Sequence, residues 1–324
     1  MKENVNLATT TSITSTFTGE RANDYVAAAL LSANTIEQGA ITVIPNQKFQ
    51  YTLNKGVTSS LLKNATCDFD AAGSITLTEK TLTVKHLNVN LQVCKNDYIT
   101  QWDAASMGYS DHDTLPKSFT DFLLGHVIGQ VAAEMESLIW TGDATVAGEI
   151  GGIVTELALD AELPAAQEGV TTAVTVANVV ATCLQATINA IPNRLYGNAG
   201  LSLYCANNVV KAYIGSQGGN LAAGVGAQGT DNKGNMWYNN GSLSFNGIPI
   251  IMINGLPDDH VIATTKENLV FVNTVASDLS DVRVLDMSEM DGSDNVRVIM
   301  KMGAVASYKF AADCVTYGFA NGAN

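Results

Sequence analysis

The chain has 324 residues, 46% hydrophobic and only 15% charged, with a net charge of −14. That length holds one large or two ordinary domains with a buried core, and so few charges suit a subunit partly covered by copies of itself. The acidic balance argues against binding nucleic acid through a basic face. The five cysteines (Cys67, Cys94, Cys183, Cys205 and Cys314) contain no CxxC pair, which argues against a zinc ribbon or a redox motif. No apolar run approaches the roughly 20 residues of a membrane span, and the N-terminus lacks a signal-peptide core, so a cytosolic product is expected.

The first 20 residues are rich in Thr, Ser and Asn and read as an extended arm. A short helix is expected over 24–36, ended by Gly39. Residues 41–94 alternate as strands: Phe49, Tyr51 and Leu53, then Ile75 and Leu77, Leu82 and Val84, and Leu87, Val89, Leu91 and Val93. They predict a long β-ribbon with a polar, turn-rich stretch between its arms that includes Gly56 and Gly73. The alternation slips by one residue between Val84 and Leu87, which predicts a bulge or a change of buried face. A projecting hairpin of this kind implies a partner surface.

The strongest helix is expected from about Leu115 to Trp140, with Phe119, Phe122, Leu123, Val127, Val131, Met135, Leu138 and Ile139 on one stripe. Asp113 or Thr114 can cap its start beside Pro116, and Thr141-Gly142-Asp143 ends it. His126 is read as a packed core histidine. A Gly-rich, then acidic segment follows to 170, a second helix is expected over 175–191 before Pro192, and Leu201 to Cys205 reads as a buried strand. Asn207 to Tyr213 is a short helix with an Asn cap. Eight glycines within 215–241 predict a long loop. The segment Leu243 to Ile253 resumes regular structure, with further strands at Val261-Ile262, Leu269 to Val272, Val282 to Leu285, Val296 to Met300 and Cys314 to Tyr317. Asp291-Gly292 is a turn signal between two of them.

The search for chemistry yields no site. Gly224-Val-Gly226-Ala-Gln-Gly229 matches GxGxxG, but no strand leads into it and no helix follows. His86, His112, His126 and His260 lie far apart without an HExxH pair, and a GxSxG elbow is missing. Glu134 and Glu136 fall on different helix faces and are read as a solvated or interfacial pair. Trp102, Trp140 and Trp237 are read as packing or interface anchors. No catalytic, cofactor-binding or metal-ligating residue is expected.

The order of polar arm, β-ribbon, long helix, α/β domain with glycine loop, and closing strands resembles the Hong Kong 97-like fold of tailed-bacteriophage major capsid proteins. Leu138-Ile-Trp-Thr-Gly142-Asp143 with Gly151-Gly-Ile153 is similar to the segment that leaves that family's spine helix. Phe245-Asn-Gly-Ile-Pro-Ile250, Leu256-Pro, His260-Val-Ile-Ala263 and Asn268-Leu269 are similar to the end of its axial domain. The resemblance implies an α+β fold with an N-terminal arm and short helix (1–40), an E-loop ribbon (41–94), and a peripheral domain (95–170) with its spine helix at 115–140. An axial domain (171–272) with a loop at 215–241 and peripheral return strands (273–324) complete it.

The resemblance further implies a non-enzymatic subunit that forms pentamers and hexamers of an icosahedral shell around double-stranded DNA, assembled in the host cytoplasm and resident in the virion. No cofactor and no membrane are expected. Only about 40 residues precede the ribbon, so a separate scaffolding protein is expected, with a portal and decoration proteins as further partners and no proteolytic trimming. Two other readings remain open: an encapsulin-type compartment shell, and a soluble α/β enzyme with the glycine segment as a lid.

Overall fold

The computed structural model describes residues 34–59, 62–65, 67, 73–94, 117–169, 172–217, 243–273, 282–287 and 292–319. The N-terminal arm, most of the first helix, the caps Asp113 and Thr114, the GxGxxG segment, Trp102, Trp237 and His112 lie outside these residues. The chain divides into two compact units. The described residues of the smaller unit are 90–94, 117–130, 283–287 and 292–298; those of the larger are 34–89, 131–282 and 299–319 less the gaps given above.

In chain order, α1 (Asn34–Glu37) stops at Gly39, whose φ of 60° is the left-handed conformation of a helix C-terminus. Strands β1 (Thr42–Ile44), β2 (Gln50–Thr58), β3 (Ile75–Thr83) and β4 (Lys85–Cys94) follow. Gly56 falls inside β2 rather than in the connecting stretch, opposite Leu77. The slip in alternation is explained by a change of sheet. β3 pairs only with β2, and buried Val84 separates it from β4, which pairs elsewhere.

The long helix α2 (Lys117–Thr141) has the predicted extent. Its exposed positions 126, 130, 134 and 137 fall at helical spacing on one side. His126 therefore stands on the solvent side, and the expectation of a packed core histidine is corrected. After α2, α3 (Ile153–Leu157) was not legible from composition. The helix expected over 175–191 is shorter, a π-helical turn Val179–Leu184 running into α4 (Gln185–Asn189). Asn178 Oδ1 accepts from the Thr175 N–H (2.7 Å), closing a turn that delays the helix.

Strand β5 (Leu201–Ala206) is buried at every position. Helix α5 (Asn207–Gln217) runs through Gly215, so the expected loop begins later than 215. Asn207 does not cap it: its amide donates to Asn254 Oδ1 (3.1 Å) and its own Oδ1 is unpartnered. Strands β6 (Leu243–Phe245) and β7 (Ile248–Ile253) form a hairpin in which Asn246 and Gly247 both have positive φ, 48° and 81°. That is the two-residue turn whose twist matches paired strands. Strands β8 (Val261–Thr265), β9 (Leu269–Asn273), β10 (Val282–Asp286), β11 (Asn295–Tyr308) and β12 (Val315–Tyr317) complete the chain.

In the larger unit one sheet has the order β12-β8-β5-β7-β6, with β5 parallel to β7 and antiparallel to β8. The parallel pair requires a crossover, which α5 supplies. A second sheet pairs β1 parallel to β9, and β9 antiparallel to residues 304–308 of β11. The main core joins Ile139, Trp140, Ile153, Leu157, Leu184, Leu203, Tyr204 and Tyr317. In the smaller unit, Arg297 Nε donates to Gln92 Oε1 (2.9 Å), and the Met287 N–H donates to the Asn295 carbonyl beside Gly292. Strand β10 pairs with β11, as the Asp291-Gly292 signal anticipates.

The glycines after α2 hold backbone against backbone. A Cβ on Gly142 would lie 2.4 Å from the Ile150 carbonyl oxygen, and one on Gly152 would lie 2.5 Å from the Gly142 nitrogen. The Gly152 N–H donates to the Gly142 carbonyl at 2.8 Å. Only glycine permits that approach. Gly152→Ala is expected to lower the unfolding free energy by about 2–3 kcal/mol, measured by denaturant titration against Gly148→Ala, where open space replaces the close contact and only a positive φ is strained.

Candidate assembly interface

Strands β2 and β3 pair over nine positions, from Gln50↔Thr83 to Thr58↔Ile75. Opposed residues share a face, so the register sorts the ribbon into two sides. One side carries Tyr51 and Leu53 with Lys80 and Leu82; Leu53, Leu82 and Val84 pack there on Val270, Val272 and Val305. The other side, Gln50, Thr52, Asn54, Gly56 and Thr58 with Ile75, Leu77, Glu79, Thr81 and Thr83, is exposed at every position. It is polar except at its outer end. There Ile75 is 66% and Leu77 72% exposed, and Leu62, in the stretch beyond β2, is 93% exposed.

The strand alternation identified Ile75 and Leu77 as one face but could not say that none of the described residues covers it. Large apolar side chains this exposed on a two-stranded ribbon mark a surface meant for contact. The ribbon's root is fixed by polar groups as well. The Lys85 ammonium donates to the carbonyls of Ala144 (2.9 Å) and Val146 (2.7 Å), tying the β3–β4 junction to the turns after α2. Thr145 donates its N–H and its hydroxyl to Asp143 Oδ1, both at 2.8 Å, and these bonds hold the Asp143 carboxyl below its usual range.

The segment that leads into the ribbon is anchored on the end of α2. Glu136 is buried, its two carboxylate oxygens accepting from the Thr35 N–H (3.2 Å) and the Thr35 hydroxyl. Thr35 Oγ1 in turn accepts from Trp140 Nε1 (3.0 Å), and the Tyr204 hydroxyl donates to the Ala40 carbonyl (2.7 Å). Glu134 is exposed, but Glu136 is not a solvated residue, and that reading is corrected. Trp140 is the packing anchor expected of it, fully buried and tilted against Tyr204 with ring centroids 6.0 Å apart.

Among the described residues no cluster of His, Cys, Asp and Glu could hold a metal ion. His86 is exposed, and His260 stacks on Phe319 with Nδ1 at 2.7 Å from the Asp258 carbonyl. Burial pushes the thiols of Cys183 and Cys314 up to about 12, and that of Cys205 well up too. Burial also raises the Tyr204 and Tyr308 phenols. No described helix is long and apolar enough to cross a membrane.

No family model and no curated protein matches this sequence. Solved structures do. The capsid of an empty GTA particle aligns with 95% of this chain and 94% of its own at 12% identity, TM-score 0.55. The cyanophage A-1(L) capsid aligns with 94% of this chain and 97% of its own at 16% identity, TM-score 0.54. The mature capsid of bacteriophage PhiM1 covers 86% and 85% at 11% identity, TM-score 0.51. The chain thus has the mixed α+β fold of phage and GTA capsid subunits, as its element order implied.

Two outcomes follow. Glu136→Ala leaves the Thr35 N–H and hydroxyl without their acceptor in the core, and is expected to lower the unfolding free energy by about 3 kcal/mol in a denaturant titration. In the native chain at about pH 8 a bulky thiol reagent should modify exposed Cys67 and leave Cys183, Cys205 and Cys314 intact until denaturant is added, as read by peptide mass spectrometry.

Proposed function

We propose that this chain is the major capsid protein of a tailed bacteriophage, forming pentamers and hexamers that tile an icosahedral shell around double-stranded DNA. The observation that carries this reading is the ribbon: its root is packed into the subunit, while its outer end presents Ile75 and Leu77 uncovered. The fold shared with phage and GTA capsid subunits supports the same conclusion. On this reading the E-loop expected over 41–94 is the β2–β3 ribbon within that span, β1 and β4 pairing with β9 and β11 instead; α2 is the spine helix, residues 1–40 the arm and short helix, 171–272 the axial domain and 273–324 the return strands.

A role in structure and not in catalysis is consistent with the scattered histidines and the buried, raised thiols. The negative chain would enclose DNA without gripping it, since it offers few cations to neutralise phosphates. A separate scaffolding protein, a portal and decoration proteins complete the proposed assembly, which forms in the host cytoplasm and ends in the virion. The three capsid structures compared above come from phages and a GTA particle, which favours DNA as the content over the cargo of a compartment shell.

The test replaces both outer residues, Ile75→Ser with Leu77→Ser. Because neither side chain is buried in the subunit, its unfolding free energy should change by less than about 0.5 kcal/mol. Sedimentation should shift from particles to unassembled subunits or capsomers. Particles formed as readily as by the parent would refute the reading.

A further inference from the structure

The ribbon does not leave the body freely beyond its apolar root. At its middle, the Lys80 ammonium lies 3.6 Å from the centroid of the Tyr308 ring and 3.5 Å from Glu156 Oε2. Both partners are themselves held. The Ser307 hydroxyl donates to the same Glu156 oxygen, and the Tyr308 hydroxyl donates to Asp160 Oδ2 at 2.5 Å. Opposite Lys80 in the ribbon stands Leu53, which is buried. Past that pair, the described side chains of β2 and β3 are exposed on both faces. Beside the pair is an open cleft of about 480 Å³ between the ribbon and residues 308–311, lined also by Asn54, Glu79, Glu162 and Lys309.

We propose that Lys80 is a charge-dependent clasp that sets the angle of the ribbon: engaged, it holds the ribbon against the body over the cleft; released, it lets the outer half swing about the Leu53–Leu82 root. The arrangement suits a switch more than a permanent joint. Lys80 and Glu156 keep about a third of their side-chain surface in water (34% and 31%), and a cation–π contact or ion pair at such a site shifts an equilibrium by only about two- to fivefold. Salt, or a carboxylate from another molecule, competes for the ammonium on equal terms. The charged groups lining the cleft beside it, Glu79, Asp160 and Glu162 against Lys309, are mainly acidic, so the cation is drawn in by more than its two partners. The inference concerns the single subunit and does not rest on the shell reading.

Hydrogen exchange of the dissociated full-length chain at low ionic strength tests it. Lys80→Met keeps the side-chain stem and removes the charge. It should speed exchange of the amides of 54–58 and 75–79 by about threefold while leaving 201–206 unchanged. Lys80→Arg retains both the charge and the stacking face and should exchange like the parent. Raising salt to about 0.5 M should accelerate the same amides in the parent and have no such effect in the Met variant. Equal exchange in parent and Met variant, an equal salt response in both, or acceleration extending into 201–206 would each overturn the clasp.

Discussion

A carboxylate buried without a cation organises the end of the long helix. Among the described residues Glu136 has no ion-pair partner; it accepts instead from the N–H and hydroxyl of Thr35, whose oxygen also takes the Trp140 indole N–H. A buried charge is costly unless its oxygens are satisfied, so the segment at 34–41 cannot leave without stranding it. The neighbouring backbone is shaped around the same point. A Cβ on Gly255 would lie 2.1 Å from the Glu136 carbonyl oxygen and 2.8 Å from Trp140 Cδ1. Helix α2, the chain entering the ribbon and the turn that follows β7 therefore converge on one turn of helix, with Tyr204 of β5 closing it from the central sheet.

From that fixed point the ribbon becomes progressively less covered. Leu53, Leu82 and Val84 share a small core with β9 and β11; Lys80 makes a partly solvated contact with Tyr308 and Glu156; Ile75 and Leu77 are largely exposed. The gradient runs from apolar packing, through electrostatics that ions can compete with, to bare apolar surface. A two-stranded ribbon is marginal alone, and its exposed end gains stability only when another surface covers it. Anchored root and uncovered tip together fit the proposed contact between molecules.

Much of this was legible in the sequence where a local rule decides the structure. Helix α2 and the buried strand β5 follow from periodicity and an apolar run, and Gly39 ends α1 because it can adopt positive φ. The readings that failed depend on residues distant in the chain. His126 and Glu136 were assigned to the wrong environments because the face a helix buries is set by its neighbours: the solvent side runs through 126, 130 and 134, and Glu136 meets Thr35, 101 positions away. The Asn246-Gly247 turn carried its own signal, two residues with preferred positive φ between alternating strands, and was passed over within a longer strand-like run. Ile75 and Leu77 look like core in any alternation pattern, and only the register shows them to be surface. Lys80 gave no signal, since a lone lysine in a strand does not announce an aromatic ring 228 positions later.

In the proposed shell, the exposed ribbon face is an interface between copies of this chain. Electron cryomicroscopy of the particles formed by the purified full-length protein tests that most directly. Closed shells in which Ile75 and Leu77 of each subunit are buried against a neighbouring copy are the predicted result. A monomer or small closed oligomer, or a shell in which that face remains in contact with solvent, would contradict it.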